Sequence, residues 1–290
     1  MKKNKYILLF TGITSLLSCE KDITVTLPKP EPKIVVEGHI EPGIPAYVIL
    51  THSSAYFAPV DSQTVANTVV YGATVIVSDG ITADTLKQVF DFNFFPPFVY
   101  EGDPLKLKGQ IGKTYSLTIN AEGKTLYATT TMTPAVVLDS VWFKPENPGD
   151  SLGLAWGHLT EPAGKGNQYR WMAKRIGKDN RFIAPFASSF DDEFFDGKSF
   201  DFSALRGKEF NSSKPDDNNR EALFFKKGDK IIVKFCTTDE ASLKFYRGFE
   251  TDAVSNGNPF AAPTTIKSNI TGGLGIWGAY TPSYDTIFAK

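Results

Sequence analysis

The chain has 290 residues, is 41% hydrophobic and 13% aromatic with 23 Phe, and carries a formal net charge of −1 and two cysteines. Without a basic run it lacks the clustered Lys and Arg that neutralise phosphate, which excludes a nucleic-acid partner. Two cysteines allow at most one disulfide, so core burial must hold the fold, and the length suits two domains better than one.

The chain opens with MKKNKYILLFTGITSLLSCEKD. Lys2, Lys3 and Lys5 form a basic start, and Tyr6 to Leu17 is an apolar run too short for a permanent membrane span. Leu16-Leu17-Ser18-Cys19 resembles a lipobox, the site read by bacterial lipoprotein signal peptidase. It implies removal of residues 1–18 and lipid on Cys19, which takes the formal charge from −1 to −4 and leaves Cys236 with no cysteine to pair with. Residues 19–33 read as a tether, because Pro28, Pro30 and Pro32 favour extended geometry over packing. Glu20, Lys21 and Asp22 resemble either the short acidic signals that route lipoproteins to the outer face of the outer membrane or a merely soluble spacer. The cell-surface face is therefore favoured over the periplasmic one. No later apolar stretch approaches the about 20 residues of a membrane helix.

From Lys33 to Thr133 the pattern has period two. Ile34, Val36 and Ile40 alternate with Val35, Glu37 and His39, and 47–53, 69–78 and 85–89 read as further strands between Pro, Gly, Asn and Asp clusters. In Lys113–Asn120 the pattern turns Tyr115, Leu117 and Ile119 inward, and Ala121-Glu122-Gly123 joins this strand to 124–132 as a hairpin. Gly112-Lys113-Thr114-Tyr115 has the form of a tyrosine corner. The expectation is an all-β chain whose residues 34–134 form an Ig-like β-sandwich, with a boundary at Pro134.

Residues 135–290 read as a second β-rich, sandwich-like domain with one helix. Leu152, Leu154 and Trp156 alternate, as do Tyr169, Trp171 and Ala173, and Ile231, Val233 and Phe235. The helix is expected near 239–254, with a capping box Thr237-x-x-Glu240, an apolar face of Leu243, Tyr246, Phe249 and Ala253, and a stop at Asn256-Gly257. It is expected to cover one end of the second sandwich.

The Cys-Glu-Lys-Asp start, the Pro-rich tether, IVVEGHIEPG, YVILTHSSAYF, DDEFFDGKSF and NPFAAPTTIKSNITGGLGIWGAY together resemble the family called "domain of unknown function 4249". The resemblance covers essentially the whole chain after the leader. It implies a lipoprotein of Bacteroidetes-type bacteria whose gene commonly lies beside a TonB-dependent outer-membrane transporter, and hence an accessory role in nutrient capture. The family supplies no catalytic or binding residues to carry over.

Few residues are placed to carry chemistry. His39, His52 and His158 form no HxH or HExxH, and whether His39 and His52 share a face depends on an unknown register. Gly273-Leu274-Gly275-Ile276-Trp277-Gly278 matches GxGxxG but leaves only twelve residues after it, too few for a dinucleotide fold, so its glycines are expected to serve close packing. Cys236 sits in the apolar run KIIVKFC and reads as an inert thiol. Asp191, Asp192, Glu193 and Asp196 are either a solvated loop, a cation site or paired carboxylates, without EF-hand order because Phe195 holds the fifth-ligand place. The segment FDFNFFPPFVY (90–100) has six aromatic residues and Pro96-Pro97, so it is either an interaction loop or a packed plug. Its Phe94, Phe95, Phe98 and Tyr100 are the candidate contacts for a partner or ligand. Asp84-Thr85-Leu86, Asp139-Ser140-Val141, Asp150-Ser151-Leu152 and Asp285-Thr286-Ile287 match an Asp-Ser/Thr-aliphatic O-glycosylation acceptor.

The sequence therefore points to a lipid-anchored outer-membrane protein, non-enzymatic, without cofactor or metal, partnering a TonB-dependent β-barrel transporter. The alternative is a surface adhesin or a module binding a glycan or peptide ligand. A hydrolase finds no nucleophile–base constellation to draw on.

Overall fold

In the computed structural model the described residues are 31–53, 66–208, 220–255 and 265–290. The leader, Cys19, most of the tether, Asp216 to Asn219 and the helix stop Asn256-Gly257 lie outside them. Pro32–Lys290 forms one compact unit. Among the described residues no helix is long and apolar enough to cross a membrane.

The described residues are all-β with one long helix. Its strands are β1 (Ile34–Ile40), β2 (Tyr47–His52), β3 (Thr74–Ser78), β4 (Ala83–Phe90), β5 (Phe98–Glu101), β6 (Thr114–Ala121), β7 (Lys124–Thr131), β8 (Ser140–Pro145), β9 (Leu152–Thr160) and β10 (Gln168–Arg175). They continue with β11 (Ser189–Asp191), β12 (Ser199–Ala204), β13 (Phe225–Lys226), β14 (Lys230–Thr238), helix α1 (Glu240–Ser255), β15 (Leu274–Ala279) and β16 (Thr281–Phe288).

The first sheet has eight strands in the order β15-β1-β2-β5-β4-β3-β6-β7. Inward residues of β1 and β2, such as Val36 and Leu50, share one core with Val75, Leu117, Ile119 and Leu126 of β3, β6 and β7, so the sheet folds over itself as a sandwich. The period-two reading holds in β6, where Tyr115, Leu117 and Ile119 are all buried. Tyr115 makes the expected corner: its hydroxyl accepts the Gln110 amide at 2.7 Å and donates to the Lys108 carbonyl at 3.3 Å. Of the strand expected over 69–78, only 74–78 forms; Val69 pairs singly with Thr51.

The second half packs β11-β10-β14-β16 against a sheet of β12-β9-β13 with β8 beside β9. Trp171, Val233 and Phe235 from one sheet meet Ala155, Leu159 and Phe225 from the other. Strands β1 to β7 belong to the first sheet and β8 to β14 with β16 to the other two, with one exception. β15 leaves the second half and pairs in parallel with β1, Val36 opposite Gly275 and His39 opposite Gly278. This return needs glycine. Gly275 has φ +109°, and a Cβ there would stand 1.9 Å from the Val36 carbonyl oxygen. The GxGxxG match thus serves close backbone approach, as its context requires.

The helix cap differs from the expected box. Asp239 is the N-cap, its Oδ1 accepting the Ser242 amide at 2.8 Å. Thr237 instead donates to the Pro134 carbonyl at 2.7 Å, because it is still paired in β14 and its hydroxyl points to the segment linking the two halves. The face is also shifted: Leu243 and Tyr246 are buried as expected, but Glu250 is buried while Phe249 is exposed. The helix does not cap an end of the second sandwich; it packs on β10 and β11 and against β15, between the two sets of sheets.

Candidate functional site: an aromatic ribbon and a charged layer

The segment between β4 and β5 closes on itself. The Asp91 amide donates to the Pro97 carbonyl at 3.0 Å, the Asn93 amide to the Asp91 carboxylate at 2.8 Å, and the Phe94 amide to the Asp91 carbonyl at 3.1 Å. Its residues divide between packed and exposed positions. Phe94 is half-buried with its ring 4.6 Å from that of Tyr47. Tyr100 is only 2% exposed; its hydroxyl donates to the Val70 carbonyl and accepts the Ala73 amide, so it belongs to the core and not to a contact surface. Phe92 is 83% exposed, Phe90 53% and Phe95 51%. A residue from elsewhere joins them: Tyr71, 55% exposed. The rings run Tyr71, Phe98, Phe90, Phe92 with successive centroids at 5.2, 5.0 and 4.7 Å, edge to face.

Register locates this ribbon. His52 of β2 pairs with Ile34, and Val48 pairs with Tyr100 of β5, while Phe98 pairs with Phe90. Phe98 and Phe90 therefore stand level with Leu50, two residues from the pair that begins β1. The ribbon lies at the end of the sheet where the chain enters it.

Behind it lies a charged layer between the first sheet and the β10–β14 sheet. His39 Nε2 and Glu41 Oε1 are 3.0 Å apart, and the Lys234 ammonium donates to the same carboxylate. Burial alone would raise the Glu41 carboxyl, but the His39 bond and the Lys234 charge outweigh it and hold it at about 2. Burial pushes His39 below its usual range, so as a neutral ring it donates to Glu41. The Arg170 guanidinium lies 3.2 Å from the Tyr246 ring centroid and donates to the Tyr280 hydroxyl at 3.1 Å. Cys236, opposite Arg170 in the ladder, is pushed up to about 12 by burial and stays a thiol. Of these contacts the Glu41–Lys234 ion pair joins the two halves.

The other sequence candidates separate. His39 and His52 are on opposite faces of the first sheet, since His39 pairs with Tyr47 and His52 with core-facing Ile34. His52 bonds Glu122 at 2.9 Å, and His158, in the other half, bonds Asp201 at 2.6 Å. Asp192 and Asp196 do come together, but with Glu161, 31 and 35 positions away in the chain, and not with Asp191 or Glu193. Asp191 instead bonds Arg247 at 2.8 Å. The clustered oxygens take N–H and O–H donors: Asp192 from Gly166 and Asn167, Asp196 from Gly164, Glu161 from Asn167, Tyr169 and Gly197. That pattern staples two turns. The hydroxyl-bearing residues of the four glycosylation matches, Thr85, Ser140, Ser151 and Thr286, are exposed.

Comparison with known proteins returns a family model, described as "Domain of unknown function (DUF4249)", that matches residues 20–285. No curated protein matches the chain. Among solved structures, a two-domain fibronectin type III segment from chicken tenascin covers 71% of this chain and 90% of its own at 12% identity and a TM-score of 0.20, too low to argue from.

Proposed function

Because the chain belongs to the DUF4249 family, we propose that it is a lipid-anchored, non-enzymatic accessory of a TonB-dependent β-barrel transporter in the outer membrane, acting in nutrient capture. The observation that carries this reading is the aromatic ribbon at the end of the sheet where the chain enters. Large exposed aromatics forming one continuous patch are the usual composition of a partner-binding hot spot. A glycan-binding or adhesive surface module is the alternative, and the transporter separates the two.

Affinity purification of the protein from detergent-solubilised outer membrane is expected to recover a large β-barrel transporter in stoichiometric amount. The double variant Phe90→Ser/Phe92→Ser, altering two exposed rings, is expected to lose that recovery, with a melting temperature within about 2 °C of the parent. Recovery of the lipoprotein alone would count against the reading. Cys19→Ser is expected to abolish incorporation of a labelled fatty acid and to move the protein from the membrane to the soluble fraction; continued labelling would refute anchoring at that residue.

A further inference from the structure

The outward face of the β8–β9–β12 sheet carries a second aromatic surface, and we infer that it is a saccharide-binding platform. Trp142 and Trp156 are direct cross-strand partners, their rings 6.2 Å apart and within 21° of parallel. Both keep solvent contact, whereas the chain's other two tryptophans, Trp171 and Trp277, are fully buried. Ser203 stands beside Trp156 in the next strand, and the adjoining row is Ser140, His158 and Asp201. Ser140, Asp201 and Ser203 are exposed, and His158 is oriented by its 2.6 Å bond to Asp201. Trp142 also lines a cleft of about 320 Å³ with Val141, Phe143, Ile287, Phe288 and Lys290, at the open edge where β8 and β16 lie side by side.

The chemistry of the face selects its occupant. A sugar ring presents a C–H face that stacks on an indole and a rim of hydroxyls that need donors and acceptors at its sides. Two near-parallel indoles followed by a row of hydroxyl, imidazole and carboxylate groups supply both. A protein hot spot asks for an apolar centre wider than two rings, and here the row on one side is polar while the row on the other pairs Lys144 with the single half-buried Leu154. Nucleic acid is opposed by Asp139 and Asp201. Lys144 Nζ, 4.9 Å from the Trp156 ring centroid on an exposed flexible stem, is the group that an arriving sugar displaces or bonds. The inference rests on the capture reading only in giving that reading a ligand class; the binding itself is a property of the purified chain.

The test is migration of the full-length protein, in mild detergent, through native gels cast with soluble xylan, mixed-linkage β-glucan, mannan or starch. Retardation by at least one polysaccharide is expected, with affinity reduced about tenfold in Trp142→Ala and in Trp156→Ala. No retardation in any gel, or retardation unchanged in both variants, overturns the proposal. If the alanine variants melt early, the decision passes to Ser140→Ala/Ser203→Ala, whose side chains are exposed: about threefold weaker binding supports the platform, and unchanged binding overturns it. Transporter recovery is scored on the same variants. Gel binding without recovery would sink the transporter reading alone, and recovery without gel binding the saccharide site alone.

Discussion

Gly275→Ala is expected to cost about 4 kcal/mol or more, enough to unfold most of the chain at 37 °C. Two effects add at this position. A φ of +109° lies outside the conformations open to an L side chain, and the new methyl would stand 1.9 Å from the Val36 carbonyl oxygen in the neighbouring strand. Neither can yield, because the methyl is fixed to the Gly275 Cα and the oxygen to the Val36 carbonyl, both in paired strands. Gly228 is the control: its φ is +93°, but nothing lies within 4 Å of the Cβ position. Gly228→Ala should show the backbone strain alone, about 1–3 kcal/mol. Urea denaturation of the two variants separates the terms, and equal losses would refute the close-approach account.

Lys234→Met is expected to destabilise by about 3–5 kcal/mol, since it leaves the Glu41 carboxylate buried without its cation. Glu41→Gln should cost a similar amount for the converse reason. The double variant should recover much of the loss, because a neutral pair has no uncompensated charge, and a double-mutant cycle measures the coupling. The same pair fixes a pH dependence. With its folded carboxyl at about 2, well below the usual value of 4.5, Glu41 binds its proton less readily folded than unfolded. Its contribution is therefore present above the unfolded value and is lost as pH falls from about 5 towards 2, roughly 3 kcal/mol in all. His39, lowered by burial, acts in the same direction: the unfolded ring takes its proton first, so acid again favours unfolding. Glu41→Gln should flatten the acid limb of the stability curve; an unchanged limb would show that the pair is not its source.

What the sequence made legible is what depends on near neighbours. The alternation of Tyr115, Leu117 and Ile119, the tyrosine corner and the hairpin at Glu122-Gly123 are local, and all three are present. What stayed hidden was set by distant pairing. Tyr71 gives no local sign that it will extend the ring series begun by Phe90, and Glu161 gives none that it will meet Asp192. Thr237 and Asp239 are both good N-cap residues, and only the ladder to Thr281 shows that Thr237 is still strand. Trp142 and Trp156 each read as one more member of an alternating strand. Their pairing, and the polar row beside them, exist only once β8, β9 and β12 are in register.

The parallel pairing of β1 with β15 also constrains the order in which the molecule can be assembled. Val36 and Gly275 are separated by nearly the whole folded chain, so the loop closure that joins them comes late in synthesis. Until then β1 is paired on one side only, and its other edge offers free N–H and C=O groups to any extended segment. The first sandwich can gather most of its strands early but cannot be sealed until the last ones emerge. A chain shortened by its final twenty residues would lose β15 and β16 together, opening one sheet in each half with a single cut.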